Sequence, residues 1–233
     1  MNVQRISAIF EKDIKDFMKN PMLLFTPFIP IILALFYSGM SMRGGEELPL
    51  FIIYIVVGIN FSSVTAGLIM MMMAEENEKK TLRGLMMSPA SFMDIIVGKS
   101  LATALLSWAT LIISLLIIDI EPFLNVKATI GLIHLFLFFL LLGIGVGLFV
   151  KSVGITTVYL MPIMFLFGFT PMVDAFNFGE TSIAIKVTDT FPIIQLIKMH
   201  ETNSWAPLGV VSLWVIGAAL FTYICFIRTR RDD

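Results

Sequence analysis

The chain has 233 residues, of which 58% are hydrophobic and 14% charged, with a formal net charge of −1. Soluble domains carry about 25% charged residues, so this balance excludes an ordinary globular enzyme, while the net charge by itself says nothing about a polyanionic partner. A single cysteine, Cys225, excludes an intrachain disulfide and implies no oxidising compartment.

Residues 1–20 are not a span. Ile6, Ile9, Phe10, Ile14, Phe17 and Met18 recur at helical spacing, and Arg5, Glu11, Lys12, Asp13, Lys15, Asp16 and Lys19 fill most of the other positions. That pattern predicts an amphipathic helix lying in the membrane interface. Pro21 then forces a break before the next element.

Six stretches carry no charge at all: 20–42, 48–74, 100–118, 128–150, 152–173 and 202–227. A helix rises about 1.5 Å per residue and the hydrocarbon core is about 30 Å thick, so each is long enough to cross a bilayer. The expected fold is therefore all-α, a polytopic membrane protein of six transmembrane helices, in one transmembrane domain over 1–233. The spans are drawn at 21–41, 49–74, 95–118, 128–150, 154–173 and 205–227. The first reads as a retained signal anchor, since no cleavage pattern follows it.

The second span holds a polar patch of Gly58, Asn60, Ser62, Ser63, Thr65 and Gly67, with Asn60, Ser63 and Gly67 on one face. Small and hydroxyl residues in a membrane helix serve close helix packing or line a wet path, and both readings stay open. The candidate path-lining set is Asn60, Ser63, Thr65 and Gly67. The Met70–Met73 run reads as lipid-facing and packing surface. Residues 75–91 form the one sizeable internal loop on the side of the termini. Gly143, Gly145 and Gly147 suit close packing, Lys151 to Gly154 force a tight hairpin, and Pro162 and Pro171 predict a kinked fifth span. Residues 174–204 are apolar but interrupted by Lys186, Asp189 and Lys198, which predicts short re-entrant or interfacial helices. A tail at 228–233 closes the chain.

Orientation follows from the positive charges. With six spans, twelve Lys and Arg residues fall on the side of the termini and four (Arg43, Lys127, Lys186 and Lys198) on the other. Both termini are expected in the cytoplasm, in the cell membrane.

Several chemistries lack their residues. Val97-Gly98-Lys99-Ser100 looks like the end of a phosphate-binding loop, but Met93 stands where that loop needs its first Gly. His134 and His200 are isolated, so neither a metal-ligand cluster nor a catalytic set can be assembled. No Asp, Glu, Lys or Arg lies within an apolar run, which counts against a proton-coupled carrier. No basic, aromatic-rich stretch suggests nucleic acid.

Residues 75–99 carry the informative motif. Glu76, Glu78, Lys79, Thr81, Leu82, Leu85, Ser88, Pro89, Ser91, Gly98 and Lys99 form an acidic–x–acidic–basic–x–Thr-Leu run. A later Leu, a Ser-Pro-x-Ser turn and a Gly-Lys entering the next span complete it. This resembles the membrane subunits of the type-2 ATP-binding-cassette exporter family, with Lys80 where that family has Gly. The Lys19-Asn20-Pro21 entry, Pro27 and Pro30 in the first span, and Phe191-Pro192 before the last are similar too.

The resemblance implies a permease subunit that is not itself an enzyme. Its 75–91 segment would be a coupling helix docked on a separate ATPase through Glu76, Glu78, Thr81, Leu82, Leu85, Ser88 and Pro89. ATP and Mg would belong to that partner, with no cofactor in this chain. A second permease copy or a related permease would complete the path within the lipid bilayer. The uncharged, Met- and Phe-rich spans favour a lipophilic or amphipathic cargo. A membrane sensor or assembly subunit, or a secondary carrier, is the alternative.

Overall fold

The computed structural model describes residues 2–44, 48–79, 81, 91–176 and 183–231. Among them every regular element is helical. In chain order these are α1 (Val3–Lys19), α2 (Pro21–Phe25), α3 (Phe28–Gly44), α4 (Leu50–Glu78), α5 (Phe92–Ile118) and α6 (Val126–Phe149). They are followed by α7 (Val153–Gly168), α8 (Ile183–Thr188), α9 (Pro192–Thr202) and α10 (Ala206–Arg231).

Five segments among the described residues are long and apolar enough to cross a membrane: Pro21–Met42, Leu50–Glu78, Met93–Ile118, Val126–Phe149 and Ala206–Thr229. The fifth of the expected spans, 154–173, is shorter as a helix. In α7 eleven α-helical residues containing Pro162 are followed by five π-helical ones, and the helix stops at Gly168. Proline removes a backbone donor and crowds the preceding turn, and the following Thr170–Phe176 is a 3-10 helix.

Local chemistry sets the helix boundaries. Asn2 caps α1 by accepting from Gln4 N, and Asn20 caps α2 by accepting from Met22 N with Pro21 at its first position. α5 begins at Phe92, earlier than its apolar run, because Ser91 and Asp94 close a capping box. The Asp94 N–H donates to Ser91 Oγ at 3.2 Å and the Ser91 N–H to Asp94 Oδ2 at 3.0 Å. α9 ends at Asn203, whose φ of 51° is the left-handed cap conformation that Asn tolerates.

α4 lies at the centre. Its most apolar window is 94% buried, against 17% for α10. The Met70–Met73 run is correspondingly interior: each of these methionines is at most 6% exposed, packed inside the bundle and not against lipid. α6 lies close to α4 because Gly143 offers no side chain; a Cβ there would sit 2.7 Å from the Ala66 backbone. Between Asn60 and Gly67 the centre of α4 is π-helical. There Ser62 Oγ donates to the Gly58 carbonyl at 2.7 Å and Ser63 Oγ to that of Ile59 at 2.6 Å, competing with the backbone ladder.

Of the segment expected as short outer helices, α9 packs into the bundle, while α8 leaves Ile183 and Val187 exposed. In α9, Ile193, Leu196, Ile197 and Met199 are buried, and Tyr54 of α4 donates to the Leu196 carbonyl at 3.3 Å. At the opposite end α1, the end of α4, the α6–α7 turn and the end of α10 gather. Asn77 Nδ2 donates to Val150 O at 2.8 Å, the Val153 N–H to Glu78 Oε2 at 2.9 Å, and Thr229 Oγ1 to Leu148 O at 3.4 Å.

Candidate functional site

At the α1 end, four charges from three helices form a cluster in which three are buried and Lys12 is half-exposed. Lys99 of α5 is 0% exposed, Asp13 of α1 1% and Glu76 of α4 5%. Lys99 Nζ lies 3.3 Å from both Asp13 carboxylate oxygens and 2.9 Å from Glu76 Oε1. Lys12 of α1 also pairs with Glu76 Oε1, and lies 3.2 Å from Asp13 Oδ1. Two cations therefore face the carboxylates of Asp13 and Glu76, and Lys12 also lies 3.5 Å from Asp16 Oδ2. Burial pushes the Asp13 carboxyl up from its ordinary value, against the pull of Lys99 and Lys12. Removing one partner from such a set costs about 3–5 kcal/mol, because an uncompensated charge stays buried.

The same helices are clamped on either side of the cluster. The Asn2 N–H donates to Asp94 Oδ1 at 3.0 Å, and Asn20 Nδ2 to Glu75 Oε2 at 3.1 Å. Gly98 permits the close approach of α1 to α5: a Cβ there would lie 2.8 Å from the Ile9 side chain. α1 thus bridges Glu75–Glu76 and Ser91–Asp94, the two flanks of the 82–90 stretch. A cleft of about 130 Å³, lined in part by Asp16, Glu75, Glu76 and Thr81, opens where that stretch begins.

From the cluster a polar seam runs along the α4–α5 contact. On α5, Thr103, Ser107, Thr110 and Ser114 share one face with Lys99 and are all buried. Opposite them lies the π-helical part of α4. Asn60 Nδ2 donates to the Ser107 carbonyl at 3.2 Å, and Thr110 Oγ1 donates to Asn60 Oδ1 at 2.8 Å. The Thr65 and Ser107 hydroxyls are 2.5 Å apart.

The family model described as ABC-2 family transporter protein matches residues 47–227. That stretch covers most of the chain, including the seam and the 75–99 motif. The chain belongs to the ABC-2 family of transporter proteins. Curated proteins and solved structures give no match.

In this ABC-2 chain the residues singled out from the sequence separate into three groups. Asn60, Ser63 and Thr65 are at most 1% exposed and Gly67 is buried, a Cβ there falling 3.2 Å from Leu160. Asn60, Thr65 and Gly67 sit at helix contacts, and Ser63 bonds back to Ile59 of its own helix. Of the motif residues, Glu76 turns inward to Lys12 and Lys99, Glu78 accepts from the first N–H of α7, and Thr81 Oγ1 donates to the Glu76 carbonyl at 3.3 Å. Leu82, Leu85, Ser88 and Pro89 lie outside the described residues. Gly98 and Lys99, read from the sequence as motif matches only, acquire a physical role as the docking point for α1.

Two features escaped the sequence reading. One is Asp13, which looked like one more charge on a solvated helix face. The other is the α5 hydroxyl stripe, whose signal was its spacing in line with Lys99. Asn60→Leu removes the group that joins Ser107 to Thr110. Interhelical hydrogen bonds average about 0.6 kcal/mol in membranes, so insertion and abundance are expected to persist. Transport should fall, and normal export by the purified variant would assign Asn60 to dispensable packing.

Proposed function

We propose that this chain is the membrane-spanning permease subunit of an ATP-driven exporter of lipophilic or amphipathic cargo. The observation that carries this reading is that both flanks of residues 82–90 are tied to the α1 region. With buried charges tying Glu76 to α1 on one side and Asp94 bonded to Asn2 on the other, a push delivered between these flanks is passed to α4, α5 and α1. A separate ATP-binding-cassette ATPase, carrying ATP and Mg, docks on that stretch through Leu82, Leu85, Ser88 and Pro89. Glu78 and Thr81 position its first turn. Glu76, expected from the resemblance to face the partner, acts instead as the internal tie to Lys12 and Lys99.

Six passes then cross the cell membrane, with α7 and the 3-10 turn after it as the fifth, and α1 lies in the cytoplasmic interface. A second copy or related permease packs on the apolar faces that one chain leaves open, such as Ile32, Leu35 and Phe36 of α3 or Leu213 and Leu220 of α10. The cargo path forms between the two. The shortage of fixed charge in the spans supports a lipophilic cargo.

Two measurements test this. Solubilised membranes should yield the chain together with an ATPase, and recovery of the chain without any ATPase under mild detergent would overturn the reading. Single cysteines in a Cys225→Ser background report topology. Sites 80 and 151 should be shielded from an impermeant reagent in intact cells, and sites 47, 121 and 186 labelled. Labelling at 80 with protection at 186 would reverse the orientation.

A further inference from the structure

Four buried side-chain atoms among the described residues lack a hydrogen-bond partner: Glu76 Oε2, Thr103 Oγ1, Ser114 Oγ and His200 Nδ1. Glu76 lies in the last turn of α4, and Thr103 and Ser114 lie on the α5 face whose Ser107 and Thr110 bond to α4. A buried hydroxyl without a partner has lost its water and gained nothing. Two such hydroxyls on one helix face, flanking two that are fully engaged, are surplus to the arrangement in hand.

Their spacing gives them a use. Thr103, Ser107, Thr110 and Ser114 recur at close to one-turn intervals on α5. Sliding α5 along α4 by one turn, about 5.4 Å, brings Thr103 to the place of Ser107, or Ser114 to that of Thr110. Asn60 and Thr65 of α4 then meet a hydroxyl again. Such one-turn jumps of one element past another are an established form of two-state change. The partner segment of α4 is the π-helical Asn60–Gly67, whose wider hydrogen-bond pattern marks a place where helices adjust. α1 is bound to α5 by the Asn2–Asp94 and Asp13–Lys99 contacts and by the close approach at Gly98. At the α1 end, the contacts of Lys12 and Lys99 to Glu76 Oε1 and of Asn20 to Glu75 hold the present register and are released in the slide, with Glu76 Oε2 left over.

We infer that the α4–α5 junction has two registers about one helical turn apart, and that α1 and α5 slide together between them. The exporter reading enters only in what drives the slide, the ATPase acting through the 75–91 loop.

The test uses the full chain in membranes, with Cys225→Ser and three cysteine pairs: Thr65→Cys with Ser107→Cys, Thr65→Cys with Thr103→Cys, and Asn60→Cys with Ser114→Cys. A disulfide needs Cα atoms within about 4.4–6.8 Å. Under copper phenanthroline the first pair should close at once. One of the other two should close at least tenfold more slowly yet reach completion, trapping the second register. Both others staying reduced while the first closes fully would overturn the proposal. In membranes that also hold the ATPase, ATP with Mg should change the closing rate of the trapped pair. Trapping that ignores nucleotide would leave the two registers standing and count against the exporter reading instead.

Discussion

Exchanging Leu82 and Leu85 for Asp is expected to uncouple transport from ATP hydrolysis while the permease still inserts and dimerises. In the proposed coupling segment the two leucines, at i and i+3, would share one face and offer apolar anchors to a groove on the ATPase. Apolar anchors carry most of such an interface, whereas rim charges chiefly steer and orient. A charge at each anchor must be buried without a partner or keep the surfaces apart, so co-elution with the ATPase and cargo-stimulated hydrolysis should both be lost. Glu78→Lys should do less, and its effect should weaken with salt. If the double Asp variant keeps full stoichiometric binding and stimulation, residues 75–91 are not the coupling element.

Replacing Lys99 with Met should be the most damaging single change in the described residues. It leaves the carboxylates of Asp13 and Glu76 buried against each other, with Lys12 as the remaining cation of the cluster. The expected cost is about 3–5 kcal/mol, seen as low membrane abundance and a much reduced thermal midpoint in detergent. Adding Asp13→Asn removes the surplus negative charge and leaves Glu76 with Lys12. That double variant should recover most of the lost stability, since a buried ion pair exchanged as a whole for neutral groups costs far less than a broken one. A Lys99→Met protein as abundant and stable as the parent would mean that the cluster carries no structural weight. The double variant also separates stability from coupling. A folded chain whose α1 is no longer tied to α5 by charge should hydrolyse ATP with its partner but export poorly.

Membrane insertion, the number of apolar runs, the amphipathic start and the 75–99 motif were legible in the sequence because each rests on local composition. Hydrocarbon rejects charge wherever it occurs, so apolar runs can be counted without knowing their neighbours. The capping residues Asn2, Asn20, Ser91 and Asn125 act on N–H groups two or three positions away, and they too belong to the local record. Tertiary structure alone decided which helix is central. α4 and α10 have comparable hydropathy, 2.0 and 2.3, yet one is enclosed and the other faces outward. Apolar character does not distinguish lipid from protein as a neighbour, so the Met70–Met73 run could not be placed from sequence. The pairing of Lys99 with Asp13 and Glu76 joins residues 86 positions apart in one case, beyond the reach of any spacing argument. The polar residues of α4 read alike as path lining or packing until the hydroxyl stripe of α5 was found against them. A hydrogen bond needs its partner in place, and only the fold brings the partner there.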